Sequence, residues 1–268
     1  MSRFERQIPI FGEDGQMRIM GSKVGIAGCG GLGVNVITQL AAAGVCRFVL
    51  CDPDIPDVTN LNRQFIYYAG DMRPKSVISA EWVLALNPAA EVEAISEPVS
   101  PDNRDMFAGC DVIVDCLDSF ESRMALNDHS QELGIPLVHA GISGFNGQLY
   151  VSVPGRTPCL RCVLGTAKDP EGPVPSVGAA VSALAGMEAL EALRVITGMG
   201  AASEGVLTTI DLGTMAVERT ELPADPAVRP AVPETLFRRG LPPPQRYNFS
   251  RPFIRRASGH RPVRRGIR

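Results

Sequence analysis

Three glycines, Gly28, Gly30 and Gly33, stand in the spacing Gly-x-Gly-x-x-Gly after a short apolar run, and Asp52 follows nineteen residues after the last of them. Without a Cβ, such a loop can bring its backbone close to a phosphate. The helix start beyond it offers unpaired N–H groups and the positive end of a dipole. A carboxylate at the distance of Asp52 is placed for ribose hydroxyls. These residues predict a bound nucleotide, and by themselves they would serve a redox dinucleotide equally well. The polar residues further along, Arg63, Lys75 and Asp118, point elsewhere. Hydride transfer has little need of an arginine, a lysine and another acid beside its nucleotide. Chemistry at the phosphates of ATP uses cations against a leaving pyrophosphate and an acid to hold Mg2+. Lys75 weighs the more because the chain has only two other lysines, Lys23 and Lys168.

These side chains need a frame. Residues 23–28 read as a first strand, and Gly31–Ala43 as a helix with Val34, Ile37, Leu40 and Ala41 on one face. Arg47–Cys51 is a second strand that ends at Asp52. A helix over 74–86, with proline in its first turn and Asn87-Pro88 closing it, carries Lys75. Residues 92–95 form a third strand. Residues 111–116 form a buried strand whose end delivers Asp118. A helix over 121–133 stops at Gly134, and 136–140 is another strand. Strand and helix alternating in this way predict a doubly wound, mostly parallel sheet with helices on both faces. After Gly141 the pattern changes. Residues 147–153 alternate as a half-exposed strand, 157–175 form a Pro- and Gly-rich loop, Gly178–Thr197 is a long Ala/Leu helix, and Val206–Asp211 with 215–220 form an antiparallel hairpin. Trp82 and Phe107 are expected in the core.

The 268 residues are expected to form one domain over 1–222 and an extended, basic tail over 223–268. Ten of the 26 basic residues, all arginine, lie in 235–268, and none of the 29 acidic residues does, so an acidic body carries a basic tail. Leu241-Pro-Pro-Pro244 argues for an extended linker, flexible or ordered by a partner. The 45% hydrophobic content suffices for a substantial core. No apolar run reaches about 18 residues, so no membrane-spanning helix is expected. The start has no signal-peptide pattern, and several of the seven cysteines sit in apolar runs. Reduced thiols and a cytoplasmic location are therefore expected.

In order and spacing these residues resemble the ThiF/MoeB/HesA adenylyltransferases of the ubiquitin-activating-enzyme-like superfamily. The resemblance runs from Arg3-Phe4-Glu5-Arg6-Gln7 through the glycine loop, Asp52-Pro53-Asp54, Asn60-Leu61-Asn62-Arg63-Gln64, Lys75 and Asp118. It continues to Gly144-Phe145-x-Gly147-Gln148 and Pro158-Cys159-Leu160-Arg161-Cys162, spanning 3–221. It implies a Rossmann-like fold, a homodimer, and use of ATP with Mg2+. By position, Gly28, Gly30, Gly31 and Gly33 would face the ATP phosphates, and Asp52 would take the ribose. Asn60, Arg63 and Lys75 would bind phosphate oxygens. Asp54 and Gln64 would complete the nucleotide site, and Asp118 would bind Mg2+. Arg6 would reach into the neighbouring subunit's site. The implied substrate is the C-terminal carboxylate of a small ubiquitin-like or sulfur-carrier protein ending in Gly-Gly. That carboxylate attacks the α-phosphate, leaving an acyl-adenylate and pyrophosphate. It is already ionised at neutral pH, so no general base is needed.

The chain departs from the family at two places. The family's structural zinc uses two Cys-x-x-Cys pairs, and here only Cys159-x-x-Cys162 is present. As a zinc half-site it supplies two of four ligands; the alternative is a pair of core thiols. The crossover segment 163–177 has no cysteine, so the resemblance implies adenylation without covalent capture and a separate sulfur donor or acceptor. Asp54 can be read as a metal ligand or as a strand end. The tail can be a solvated end, a docking arm for the carrier, or a nucleic-acid arm, with Tyr247, Phe249 and Phe253 among its arginines. Two further functions stay open at this point: adenylation of a tRNA base or a peptide, and a non-catalytic scaffold that binds ATP and a carrier.

Overall fold

A computed structural model describes residues 3–165, 167–169 and 171–222. The expectations for the tail, 223–268, and for a domain boundary at its start lie outside the described residues. The chain opens with helix α1 (Ile8–Gly21) and then builds one eight-stranded sheet. Its strands are β1 (Lys23–Ala27), β2 (Arg47–Cys51), β3 (Glu91–Ile95), β4 (Val112–Asp115), β5 (Leu137–Ser143), β6 (Asn146–Ser152), β7 (Val206–Asp211) and β8 (Ala216–Glu221). Their order is β3-β2-β1-β4-β5-β6-β7-β8. The first five strands are parallel and the last three antiparallel.

The length of each connection explains the change. Parallel neighbours need long crossovers, which are supplied by α2 (Gly31–Ala43), α3 (Lys75–Leu86) and α4 (Phe120–Leu133). Between β5 and β6 only Gly144 and Phe145 intervene, with Gly144 at φ 61°, so the chain doubles back. Helix α6 (Gly178–Thr197) lies against α2 and the centre of the sheet. Alternate residues of the central strands feed two separate cores. Val24, Ile26, Phe48, Leu50 and Val114 face one, and Ala27, Val49, Cys51 and Ile113 the other. Phe107 is fully buried, as expected. Trp82 is only half-buried and donates its indole N–H to Thr38 Oγ1 at 2.9 Å.

Two helices were not expected. Helix α1 is interrupted at Gly12, which has φ 74° and ψ 169°, and Pro9 and Gly15 further obscure its periodicity. Tertiary contacts hold it instead. Buried Gln16 donates to the Ala43 carbonyl at 3.1 Å, and Arg18 donates to the Thr197 carbonyl at 3.0 Å, tying α1 to the ends of α2 and α6. Helix α5 (Leu160–Leu164) is one short turn within the segment expected to be loop throughout. Among the described residues no helix is long and apolar enough to cross a membrane.

Candidate nucleotide site

In a doubly wound sheet the strand order reverses at one place, and the diverging crossovers leave a crevice beyond the carboxyl ends of the strands. Here the reversal lies between β1 and β4. A cavity of about 1240 Å3 opens there, lined by the glycine loop, Asp52, Asn60, Arg63, Lys75 and Asp118 among others.

The glycine loop has different reasons for each glycine. Gly28 has φ 92°, and a Cβ on it would lie 2.6 Å from the Cys116 carbonyl oxygen. A Cβ on Gly33 would lie 2.1 Å from the Gly28 carbonyl oxygen, so α2 could not sit so close to the turn. At Gly30 the chain itself leaves room: the nearest atom to a Cβ would be Gln64 Nε2, at 3.7 Å. Its bareness serves whatever enters the cavity. Gly30 is also the N-cap of α2, with no side-chain cap, so first-turn N–H groups are left for an anion. Gly31 gives way to the Arg63 stem, whose Cγ would lie 3.3 Å from a Cβ there. Tyr67 props the loop from beneath. Its hydroxyl donates to the Cys29 carbonyl at 2.6 Å and lies 3.0 Å from Ser79 Oγ.

Asp52 leaves the end of β2 and is buried. Its Oδ2 accepts from Cys29 N–H at 2.7 Å and its Oδ1 from Asp54 N–H at 2.9 Å. Burial pushes its pKa up, against those two N–H groups and the charge of Lys75. The carboxylate thus fixes the glycine loop and keeps lone pairs for further donors. Lys75, at the start of α3, is also buried. Its Nζ lies 3.1 Å from Asp54 Oδ2, and its N–H donates to the Asp54 carbonyl at 2.7 Å. Asp54 is therefore the lysine's partner at the cavity rim, with a 66% exposed side chain.

A short 3-10 turn, Val58–Asn60, carries the next group. Asn60 Oδ1 accepts from Asp57 N–H at 3.1 Å, and Asp57 in turn caps Thr59, so the turn is closed by its own side chains. Arg63 folds back onto this turn, donating to the Thr59 carbonyl at 2.9 Å and to Asn62 Oδ1 at 2.8 Å. Gln64 is 4% exposed, and its Oε1 has no hydrogen-bond partner. A buried unpaired carbonyl oxygen is costly, and Gln64 lines the cavity, where a ligand donor would satisfy it. Asp118 is exposed at the cavity wall just beyond β4. Arg6 lies exposed in the turn before α1, outside the cavity of its own chain.

Beneath Asp118 lies a buried polar chain that sequence reasoning missed. Asp115, at the end of β4, accepts from Arg123 Nε at 2.9 Å, His139 Nδ1 at 2.7 Å and Leu117 N–H at 3.1 Å. Burial works against its charge, but the Arg123 guanidinium and the His139 hydrogen bond outweigh it, so the pKa is lowered. Burial lowers the pKa of His139. Its other nitrogen, Nε2, accepts from Gln148 Nε2 at 3.0 Å, and Gln148 lines the cavity. Arg123 also donates to the Leu117 carbonyl. The Leu117-Asp118 segment is thus held from both its N–H and C=O sides. Glu188, from α6, is fully buried nearby, and burial followed by the charge of Asp115 holds its pKa well up. Asp115 and His139 lay inside apolar strands, where nothing local marked them as polar anchors.

Cys159 and Cys162 lie elsewhere, beyond the far end of β6, and do not line the cavity. Among the described residues no group of three or more His, Cys, Asp or Glu could hold a metal ion. Magnesium makes a lighter demand, since one or two carboxylates and the phosphates themselves commonly suffice; Asp118 lies at the cavity wall.

The sequence matches the ThiF family over residues 4–229. The chain belongs to the ThiF family. It is 36% identical over 236 residues to the SAMP-activating enzyme E1 of Haloferax volcanii, covering 84% of this chain and 87% of that one. It is 35% identical over 205 residues to the sulfur carrier protein ThiS adenylyltransferase of Escherichia coli, covering 74% and 82%. The crystal structure of E. coli MccB with ATP shares the fold of this ThiF-family chain at a TM-score of 0.77 and 20% identity, over 86% of this chain and 74% of MccB.

Proposed function

We propose that this protein is an adenylyltransferase that uses ATP to activate the C-terminal carboxylate of a small ubiquitin-like or sulfur-carrier protein ending in Gly-Gly. The observation that carries the reading is the composition of one cavity. An uncapped helix start, two cations and an exposed acid converge at the strand-order reversal, with a buried Gln64 carbonyl oxygen lacking a donor. Relatives at 35–36% identity named as activating SAMP or adenylylating ThiS support the choice of substrate.

In this reading the bare glycine loop and the first N–H groups of α2 receive the phosphates, and Asp52 accepts the ribose hydroxyls. The carrier's carboxylate attacks the α-phosphorus. A new P–O bond forms as the bond to the pyrophosphate oxygen breaks, and the products are acyl-adenylate and pyrophosphate. Charge builds on that leaving oxygen, and Arg63 and Lys75, with Asn60 beside them, stabilise it. Lys75 is already dehydrated and aimed by Asp54, so little reorganisation is required. Magnesium, held by Asp118, supplies countercharge to the phosphates when bound. The chain's own work is positioning and neutralisation. In a homodimer, Arg6 extends from each subunit toward the other's site. Residues 1–222 form the catalytic domain, with 223–268 an appended basic arm that favours an acidic carrier. A separate protein supplies or receives sulfur.

The test is ATP–pyrophosphate exchange with Mg2+, run with a Gly-Gly carrier, with that carrier lacking its last glycine, and with Asp118→Ala. Exchange is expected only with the intact carrier and the parent enzyme. Full exchange by Asp118→Ala would overturn the site assignment, and exchange with the shortened carrier would overturn the substrate.

A further inference from the structure

The family's zinc does not fit Cys159 and Cys162. Tetrahedral structural zinc takes four ligands, and this pair supplies two. The other five cysteines are Cys29, Cys46, Cys51, Cys110 and Cys116, and four of those are buried. Residues 223–268 contain no cysteine at all. Among the described residues no third His, Cys, Asp or Glu joins the pair as a possible ligand.

The geometry of the pair suits a different chemistry. The two Sγ atoms are 3.2 Å apart. The frame on either side is fixed. The Pro158 carbonyl accepts from Tyr150 Oη at 2.8 Å and Ser152 Oγ at 3.3 Å, and Leu160 is fully buried. Cys162 N–H donates to the Cys159 carbonyl at 3.0 Å, and Arg161 pairs with Asp128 at 2.5 Å. Both main-chain positions are therefore set by neighbours other than the thiols. Cys162 is exposed and Cys159 partly so, which makes them accessible to small reagents. Two thiols three residues apart, in contact, on a fixed turn and open to solvent, need only small side-chain rotation to join.

We propose that Cys159 and Cys162 form a thiol–disulfide exchange site that reacts with low-molecular-weight disulfides. The exposed Cys162 thiolate attacks one sulfur of the small disulfide. A mixed disulfide forms, and one small thiol leaves with the proton. The Cys159 thiolate then attacks the Cys162 sulfur, the second small thiol departs, and the intramolecular disulfide closes. Two protein thiols are oxidised and one small disulfide is reduced to two thiols.

The experiment uses the full chain, purified without chelator, assayed for zinc, then equilibrated at graded ratios of reduced to oxidised glutathione. Remaining thiols are trapped by alkylation and read by intact mass and peptide mapping. The expected result is a Cys159–Cys162 disulfide, visible as the loss of two hydrogens and two alkylation sites, reversed by dithiothreitol. Cys159→Ser is expected to stop at a glutathione adduct on Cys162. Alkylation of both thiols at every ratio would overturn the proposal. So would stoichiometric zinc that shields both thiols until a chelator is added.

Discussion

Asp115→Asn tests whether the buried polar chain under the site carries the load its geometry assigns. Asparagine keeps the side-chain shape but removes the negative charge, and leaves the Arg123 side chain, only 7% exposed, without its counter-ion. Taking one partner from a buried ion pair costs about 3–5 kcal/mol, out of a total stability of about 5–15 kcal/mol for a domain. One neighbour limits the damage. Burial and the charge of Asp115 push the Glu188 pKa up, while Arg123 pulls the other way. With Asp115 neutral, Glu188 can ionise in its place. The single variant should therefore lie near the lower bound of about 3 kcal/mol, or roughly 6–12 °C in melting temperature. Adding Glu188→Gln removes the substitute charge, and the double variant should reach the upper bound of about 5 kcal/mol. Urea unfolding followed by Trp82 fluorescence and far-UV circular dichroism measures both. An Asp115→Asn loss under about 0.5 kcal/mol would refute the reasoning. So would a double variant whose loss is the plain sum of its singles, since neighbours sharing one charge must couple.

Gly33→Ala forces a Cβ to within 2.1 Å of the Gly28 carbonyl oxygen, so the loop or the start of α2 must move. A stability loss of about 1–3 kcal/mol with weakened ATP binding is expected by calorimetry, and parent-like affinity would count against the loop's role. Lys75→Met keeps the buried stem but removes the charge. Because Asp54 is 66% exposed, stability should change by less than about 1 kcal/mol, while pyrophosphate exchange should fall about 100-fold or more. An undiminished rate would remove Lys75 from the mechanism. Glu188→Gln should flatten the pH dependence of stability. The folded pKa of Glu188 is raised, so its contribution is complete below the unfolded value of about 4.3 and declines at about 1.4 kcal/mol per pH unit until the folded pKa is passed. Relative to the parent, the glutamine variant should gain stability as pH rises from 5 to 8, and parallel profiles in chemical denaturation would contradict this.

Much of the site was legible in the chain alone because its signals are local. The steric need at Gly33 arises five residues back, at the Gly28 carbonyl, the positive φ at Gly28 belongs to the turn itself, and the strand end that presents Asp52 follows from one apolar run. The strand–helix alternation was legible for the same reason, since each amphipathic period is written within one element. Beyond that reach the sequence was silent. Helix α1 is broken by Gly12 and persists through Gln16 and Arg18, whose partners lie on α2 and α6. The pairing of Lys75 with Asp54, the burial of Gln64 and the run from Arg123 through Asp115 and His139 to Gln148 each join different elements. Likewise, one Cys-x-x-Cys reads in the sequence as half a metal site, and which donors stand near it is a tertiary matter; among the described residues no third His, Cys, Asp or Glu joins it. Backbone conformation and periodicity are short-range properties, so residue order determines them. A buried charge is tolerable only beside a partner, and which residues become partners is decided when the sheet brings distant strand ends together.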